Sequence, residues 1–186
     1  MRKYLPDLTA SEWQQVKENW EPRMVKKSER VLGEGQICQH LYFLETGLLR
    51  FHYQKDGEDI TKFFTEPPYV FTARSSLTSQ KPSKEGIEAL MDSQMWQVGR
   101  ERLERLRQLP IWQQFIYQLT SEVQGFTENI LEELQTDSVE LRYQHLLEHR
   151  PFLVKHAPLR HLASYLGIAP QSLSRIRKRM SQPARK

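Results

Sequence analysis

Hydrophobic and polar positions along this 186-residue chain change period twice, and those changes divide it. From about Ser11 to Met24, Trp13, Val16 and Trp20 fall on one side of a 3.6-residue repeat, which predicts a short amphipathic helix capped by Ser11. The pattern then shortens. Arg30-Val-Leu-Gly-Glu-Gly35 leads into Leu41-Tyr-Phe-Leu44, Thr46-Gly47 and Leu48-Leu-Arg-Phe-His-Tyr53. Lys55-Asp-Gly-Glu58 follows as a hairpin turn, and Ile60 to Phe64 as a further strand. Pro67-Pro68 interrupts, Val70 to Leu77 reads as a short helical excursion, and Ile87 to Leu90 and Met95 to Val98 resume as strands. Short strands punctuated by glycine predict a compact antiparallel barrel or jelly roll.

From Arg100 the helical period returns. Pro110 opens a long helix whose apolar residues Ile111, Phe115, Leu119, Val123, Phe126, Ile130 and Leu134 are spaced 4, 4, 4, 3, 4 and 4. That is one narrow seam over seven turns, roughly 36 Å at 1.5 Å per residue. It can pack on its own barrel or on a second copy. Its likeness to a coiled-coil seam favours the second copy, with Gly125 allowing close helix approach. A further helix starts at Asp137 or Ser138 and runs towards Glu148, and Phe152 to His156 forms a short helical turn between Pro151 and Pro158. The expected class is α+β. An N-terminal antiparallel β-roll with flanking helices spans residues 1–109, a dimerisation helix 110–136, and a helix-turn-helix 137–186.

The tail carries the most specific pattern. Leu159, Leu162, Ala163 and Leu166 form the apolar stripe of one helix, Gly167 permits a sharp turn, and Pro170 suits the first turn of the next. Leu173, Ile176 and Met180 make that second helix's buried side, leaving Gln171, Ser174, Arg175 and Lys178 together on the opposite face. Arg pairs with guanine edges and Gln with adenine, so such a face can read duplex DNA. An ordinary αα-hairpin with a solvated face is the plainer alternative. Charge decides between them: Lys155 to Lys186 holds eight Lys or Arg and no Asp or Glu, so the rest of the chain is −4 within an overall +4. A one-sign tail is the footprint of a polyanion partner.

Composition narrows the rest. A hydrophobic share of 38% with 10% aromatics is enough for a buried core. No apolar run is long enough to span a membrane, and the start, Met1 to Pro6, shows no secretory pattern, so a cytoplasmic protein is expected. Cys38 stands alone, which excludes an internal disulfide and makes a buried small residue its simplest role. His145 and His149 sit four apart on a helix, a zinc-compatible spacing, but without the adjacent Glu of a metalloprotease motif they read as a solvated or phosphate-facing pair. His40 and His52 alone cannot build a cupin metal site. Trp96 reads as core, and no metal or cofactor is expected.

Taken together, Gly33-x-Gly35, Leu41-Tyr-Phe-Leu-x-x-Gly47, Asp56-Gly57, the Ile111–Leu134 helix, Arg142-Tyr143 with Leu146-Leu147, and Leu162-Ala-Ser-Tyr-Leu-Gly-Ile168 through Leu173-Ser-Arg175 resemble the Crp-Fnr transcription factors. The tail is most similar to the short versions common in Bacteroidetes. The resemblance implies a cyclic-nucleotide-binding-type β-roll, a homodimer through the long helix, and two reading heads on a palindromic duplex. It places Gln171 and Arg175 at base-reading positions, Ser172 and Ser174 near phosphate or base edges, and Arg177, Lys178 and Arg179 on phosphates. Ile111, Phe115, Leu119, Val123, Phe126 and Ile130 become the dimerisation seam. RNA polymerase is a further expected partner, and the roll is expected to take an unidentified small-molecule effector or none.

Two departures qualify that picture. The family's Gly-Glu pair is replaced by Pro68-Tyr69 or a neighbour, and its phosphate-binding Arg falls on Ser83 and Lys84. Those two are the candidate effector-binding residues, but Lys84 can hold a phosphate only as a point charge, so cyclic-nucleotide binding is not expected. Neither the gap before Pro158 nor the residues after Met180 hold a two-stranded wing. The rival readings are a sensor or scaffold module whose tail binds a protein or RNA, and a cupin-type enzyme.

Overall fold

The computed structural model describes residues 8–181. The readings of Met1 to Pro6 and of the last five residues lie outside that range. Among the described residues, eight strands form two four-stranded antiparallel sheets. In the first, β1 (Glu21–Val25), β8 (Ser93–Gly99), β3 (His40–Thr46) and β6 (Tyr69–Phe71) are neighbours in that order. In the second the order is β2 (Arg30–Leu32), β7 (Gly86–Ala89), β4 (Leu49–Lys55) and β5 (Glu58–Thr65). Their facing sides bury Leu44, Phe51, Ile87, Met95 and Val98, and Phe51 stacks on Phe63 with ring centroids 4.1 Å apart. The β4–β5 turn is tight because Asp56 and Gly57 both take positive φ, 53° and 82°, the conformation of a two-residue hairpin loop.

Helix α1 spans Ala10–Lys17, shorter than its periodicity predicts, and its cap is Thr9 rather than Ser11. Thr9 and Glu12 form a capping box: Thr9 Oγ1 accepts the Glu12 N–H at 3.3 Å and the Glu12 carboxylate accepts the Thr9 N–H at 3.0 Å. Trp20 therefore lies beyond the helix, and Met24 belongs to β1, where it pairs with Gln94. Val70 and Phe71 likewise extend as β6 beside Phe43 and Tyr42, so the helical excursion shrinks to α2, Arg74–Ser79. In both places pairing with a neighbouring strand outweighs a local helical pattern. Cys38 is buried, as its small apolar character implies.

After α3 (Arg100–Leu106) comes α4, Pro110–Thr136, a single helix of 27 residues. Its seam is split. Phe115 is fully buried in the roll core beside Trp112, with ring centroids 5.1 Å apart, and Ile111 and Leu119 lean on the same cluster. The first half of the seam thus packs on its own barrel. Beyond it, Val123 is 37% exposed, Phe126 44% and Leu134 54%, and nothing lies within 4 Å of a Cβ built on Gly125.

The remaining helices are α5 (Val139–His149), α6 (Pro151–His156), α7 (Leu159–Leu166) and α8 (Pro170–Ser181). Ser138 caps α5, accepting the Leu141 N–H at 3.2 Å. These helices do not form an isolated unit: Leu162, Leu166, Leu173, Ile176, Tyr143 and Leu153 share one buried cluster with Leu48, Phe64 and Leu90 of the roll. Each such side chain contributes about 1.5–3 kcal/mol by leaving water.

Candidate nucleic-acid interface

The turn between α7 and α8 is built by Gly167 at φ 73°. Its N–H bonds to Ser164 O, and Ile168 N–H reaches back to Ala163 O, both at 3.0 Å. This Schellman-type closure satisfies the last carbonyls of α7. Pro170 then begins α8 without wasting a donor. The Ala169 carbonyl accepts the Ser172 and Leu173 N–H groups at 3.0 and 3.2 Å, so backbone alone starts the helix.

Leu173 and Ile176 anchor α8 at 0% and 6% exposure, while Met180, expected inside, is 40% exposed. The register leaves Gln171, Ser174, Arg175 and Lys178 exposed together, with half-buried Ser172 beside them. The other two cations are turned elsewhere. The Arg177 guanidinium lies over the Tyr143 ring at 5.6 Å, with Nε and Nη2 buried and without a hydrogen-bond partner among the described residues. Arg179 Nη2 pairs with Glu140 Oε1 at 2.6 Å. The Arg179 guanidinium beside Glu140, after that residue's own backbone N–H, holds its carboxyl below the usual range. Arg177, which the resemblance places on phosphate, is half-buried here, because its long stem crosses to α5 and packs on an aromatic ring.

Of the candidate effector residues, Ser83 is buried and Lys84 exposed. Ser83 is 6% exposed, and its hydroxyl donates to Glu85 O at 2.7 Å while accepting the Glu85 N–H at 3.2 Å. Its N–H and C=O fasten to Gln36 O and Gly35 N, both at 2.8 Å. Lys84 points to solvent. Pro68-Tyr69 enters β6, and the turn into α2 is Thr72-Ala73 instead. Space for a ligand exists nearby: a groove of about 750 Å³ runs between β6, α2 and α4, lined by Phe71, Arg74, Leu77, Trp112 and Tyr117.

The histidine pairs also resolve. His145 Nδ1 faces Asp137 at 3.7 Å, and His149 Nδ1 is 3.1 Å from His145 O. His40 and His52 lie on different sheets, and among the described residues no three His, Cys, Asp or Glu converge to hold a metal. Burial pushes the His40 imidazole below its ordinary value.

One polar cluster escapes any motif. Arg50 on β4, 2% exposed, donates from Nε to Glu88 Oε1 at 2.7 Å, from Nη2 to Asp59 Oδ2 at 2.8 Å and from Nη1 to Thr61 Oγ1 at 3.1 Å. Burial works to raise the Asp59 pKa, but its bond to Arg50 and that guanidinium's charge outweigh burial and lower it. Facing this cluster from α7 are His161, 4% exposed, and Ser164, whose Oγ accepts the Thr61 N–H at 2.9 Å. Nearby, Arg150 ties the end of α5 to the roll through Glu66 at 2.6 Å and Phe64 O at 3.0 Å. Alternation of apolar and polar residues gives no sign of these contacts: Asp59 and Thr61 come from the other arm of the β4–β5 hairpin, and Glu88, His161 and Ser164 from remote parts of the chain.

Residues 22–109 match the family model for the cyclic nucleotide-binding domain. No curated protein matches the chain. Among solved structures, the c-di-GMP-responsive global regulator CLP of Xanthomonas campestris is similar at a TM-score of 0.73 and 15% identity, over 92% of this chain and 91% of that one. FixK2 of Bradyrhizobium japonicum is similar at 0.72 and 22%, over 87% and 84%. The catabolite activator protein of Thermus thermophilus is similar at 0.58 and 18%, over 96% and 86%. At these identities the likeness is one of fold, extending from roll to long helix to C-terminal helices.

Proposed function

We propose that this chain, which has the fold of the Crp/Fnr regulators with a cyclic-nucleotide-binding-type roll, is a DNA-binding transcription regulator working as a cytoplasmic homodimer. The observation that carries this is the exposed α8 stripe of Gln171, Ser174, Arg175 and Lys178 within a C-terminal stretch holding cations only. Gln171 and Arg175 read base edges, Ser172 and Ser174 contact base or phosphate, and Lys178 grips phosphate. Arg179 joins it on leaving Glu140. The working parts are the roll (1–109), the pairing helix (110–136) and the reading head (137–186). Val123, Phe126 and Ile130, with Gly125 between them, make the pairing seam, for which Phe115 only sets the angle from inside the roll. RNA polymerase is the further partner of such a regulator, and no catalytic role is assigned.

An effector of the roll would occupy the groove between β6, α2 and α4. CLP is described as responsive to c-di-GMP. In this chain the Ser83 hydroxyl is already committed to backbone, so calorimetry with cyclic AMP and cyclic GMP is expected to give no binding, and micromolar affinity for either would overturn that. Selection of bound sequences from random duplex DNA tests the main reading. It should return a palindrome with half-sites about 34 Å apart and affinity that falls steeply with salt. A protein that ignores every duplex at low ionic strength is instead a sensor or scaffold module.

A further inference from the structure

Strand β5 is the outermost strand of its sheet, and an edge strand carries backbone groups in need of partners. Helix α7 closes this edge. Ser164 Oγ accepts the Thr61 N–H at 2.9 Å and donates to Asp59 O at 3.4 Å, so a helix side chain stands where a further strand would. One turn back on α7, the His161 ring is seated over the Arg50 cluster. Its Nε2 accepts from Arg160 Nε at 3.2 Å and lies 3.9 Å from Glu88 Oε1. An acceptor nitrogen carries no proton, so the seated ring is neutral.

We propose that the α7–β5 contact is a latch joining the reading head to the roll of its own chain, and that a proton on His161 opens it. Four charged groups act on the ring: Arg50 from β4, Arg160 from α7 itself, Glu88 from β7 and Asp59 from β5. His52, also on β4, lies behind Asp59 at 3.3 Å and Glu34 at 3.6 Å. Both carboxylates nearest His161 already serve Arg50. An imidazolium there would lose its bond from Arg160 and face two guanidiniums, with its counter-charges taken.

Burial first, then Arg50 and Arg160, push the His161 pKa down from 6.5 to about 4. The latched form therefore binds fewer protons than the opened one. Latching is fully favoured above the ordinary histidine value and weakens as pH falls from there towards the depressed value. Between pH 7.5 and 5.5 the ratio of open to latched molecules should rise about tenfold.

The latch is independent of any DNA reading, and so is its test. Amide exchange of Thr61 is followed by NMR in the intact protein at both pH values, normalised to the intrinsic rate. The amides of β4, which has strands on both sides, serve as reference. Thr61 protection should fall about tenfold at pH 5.5 while that of β4 stays constant. His161→Gln keeps a neutral acceptor and should remove the response; His52→Gln should retain it. Ser164→Ala should lower Thr61 protection equally at both pH values. The proposal is overturned by a wild-type Thr61 indifferent to pH, by a response that persists in His161→Gln, or by Thr61 and β4 losing protection together.

Discussion

Helices α7 and α8 belong to one motif and are joined by three residues, yet they face opposite worlds. Helix α7 buries His161, Leu162, Ala163 and Leu166 and turns even its polar Ser164 towards β5. Helix α8 buries Leu173 and Ile176, lays Arg177 on Tyr143, and leaves Gln171, Ser174, Arg175 and Lys178 exposed. A two-helix unit is thus divided into an anchor that turns His161 and Ser164 towards the roll and an outward helix that keeps one polar stripe exposed. Residue type does not distinguish them, since each carries Arg and Ser. What differs is whether a strand edge lies opposite.

Several substitutions would sharpen or break that contrast. Leu162→Ala removes a fully buried anchor from the core shared with the roll and should cost about 2–5 kcal/mol, seen as a lower Tm. Met180→Ala, at an exposed point of α8, should stay within about 0.5 kcal/mol. Arg175→Ala should leave Tm unaltered but cost about 1–3 kcal/mol in binding and relax specificity at one base pair, measured by gel shift against variant duplexes. Lys178→Ala should weaken all sequences alike and reduce the salt slope by about one; the reverse pattern would exchange the two roles. Smallest of all, Glu140→Gln should leave Tm unchanged, because the Arg179 pair is solvent-exposed. It should tighten DNA binding slightly at low salt by freeing that cation.

The long helix holds a second version of the same contrast. Its first half is anchored through Trp112 and Phe115, while its second half leaves Val123, Phe126 and Leu134 exposed. Val123→Glu combined with Phe126→Glu should give a folded monomer by light scattering. Phe115→Ala should instead lower the Tm by opening the roll core, at about 3–5 kcal/mol. A dimer that survives the glutamate pair would mean that the exposed seam has another use.

Local pattern alone was enough for the roll, the single helix from Pro110, the Gly167 turn and the α8 face, because each depends on periodicity or on a residue with special backbone freedom. It misjudged α1 beyond Lys17 and the strand at Tyr69–Phe71, where sheet partners from elsewhere in the chain override helical spacing. It could not divide the α4 seam, since Phe115 and Phe126 occupy equivalent positions in a repeat and only the barrel's location separates them. Nor could it foresee that Arg177 lies on Tyr143, that Arg179 meets Glu140, or that Arg50, Glu88 and His161 meet at all. Sequence determined the elements that rest on periodicity or special backbone freedom, and what chemistry their faces offer. Tertiary structure decided which of those faces is spent, because burial and ion pairing depend on what lies across the gap, and chain neighbours carry no record of that.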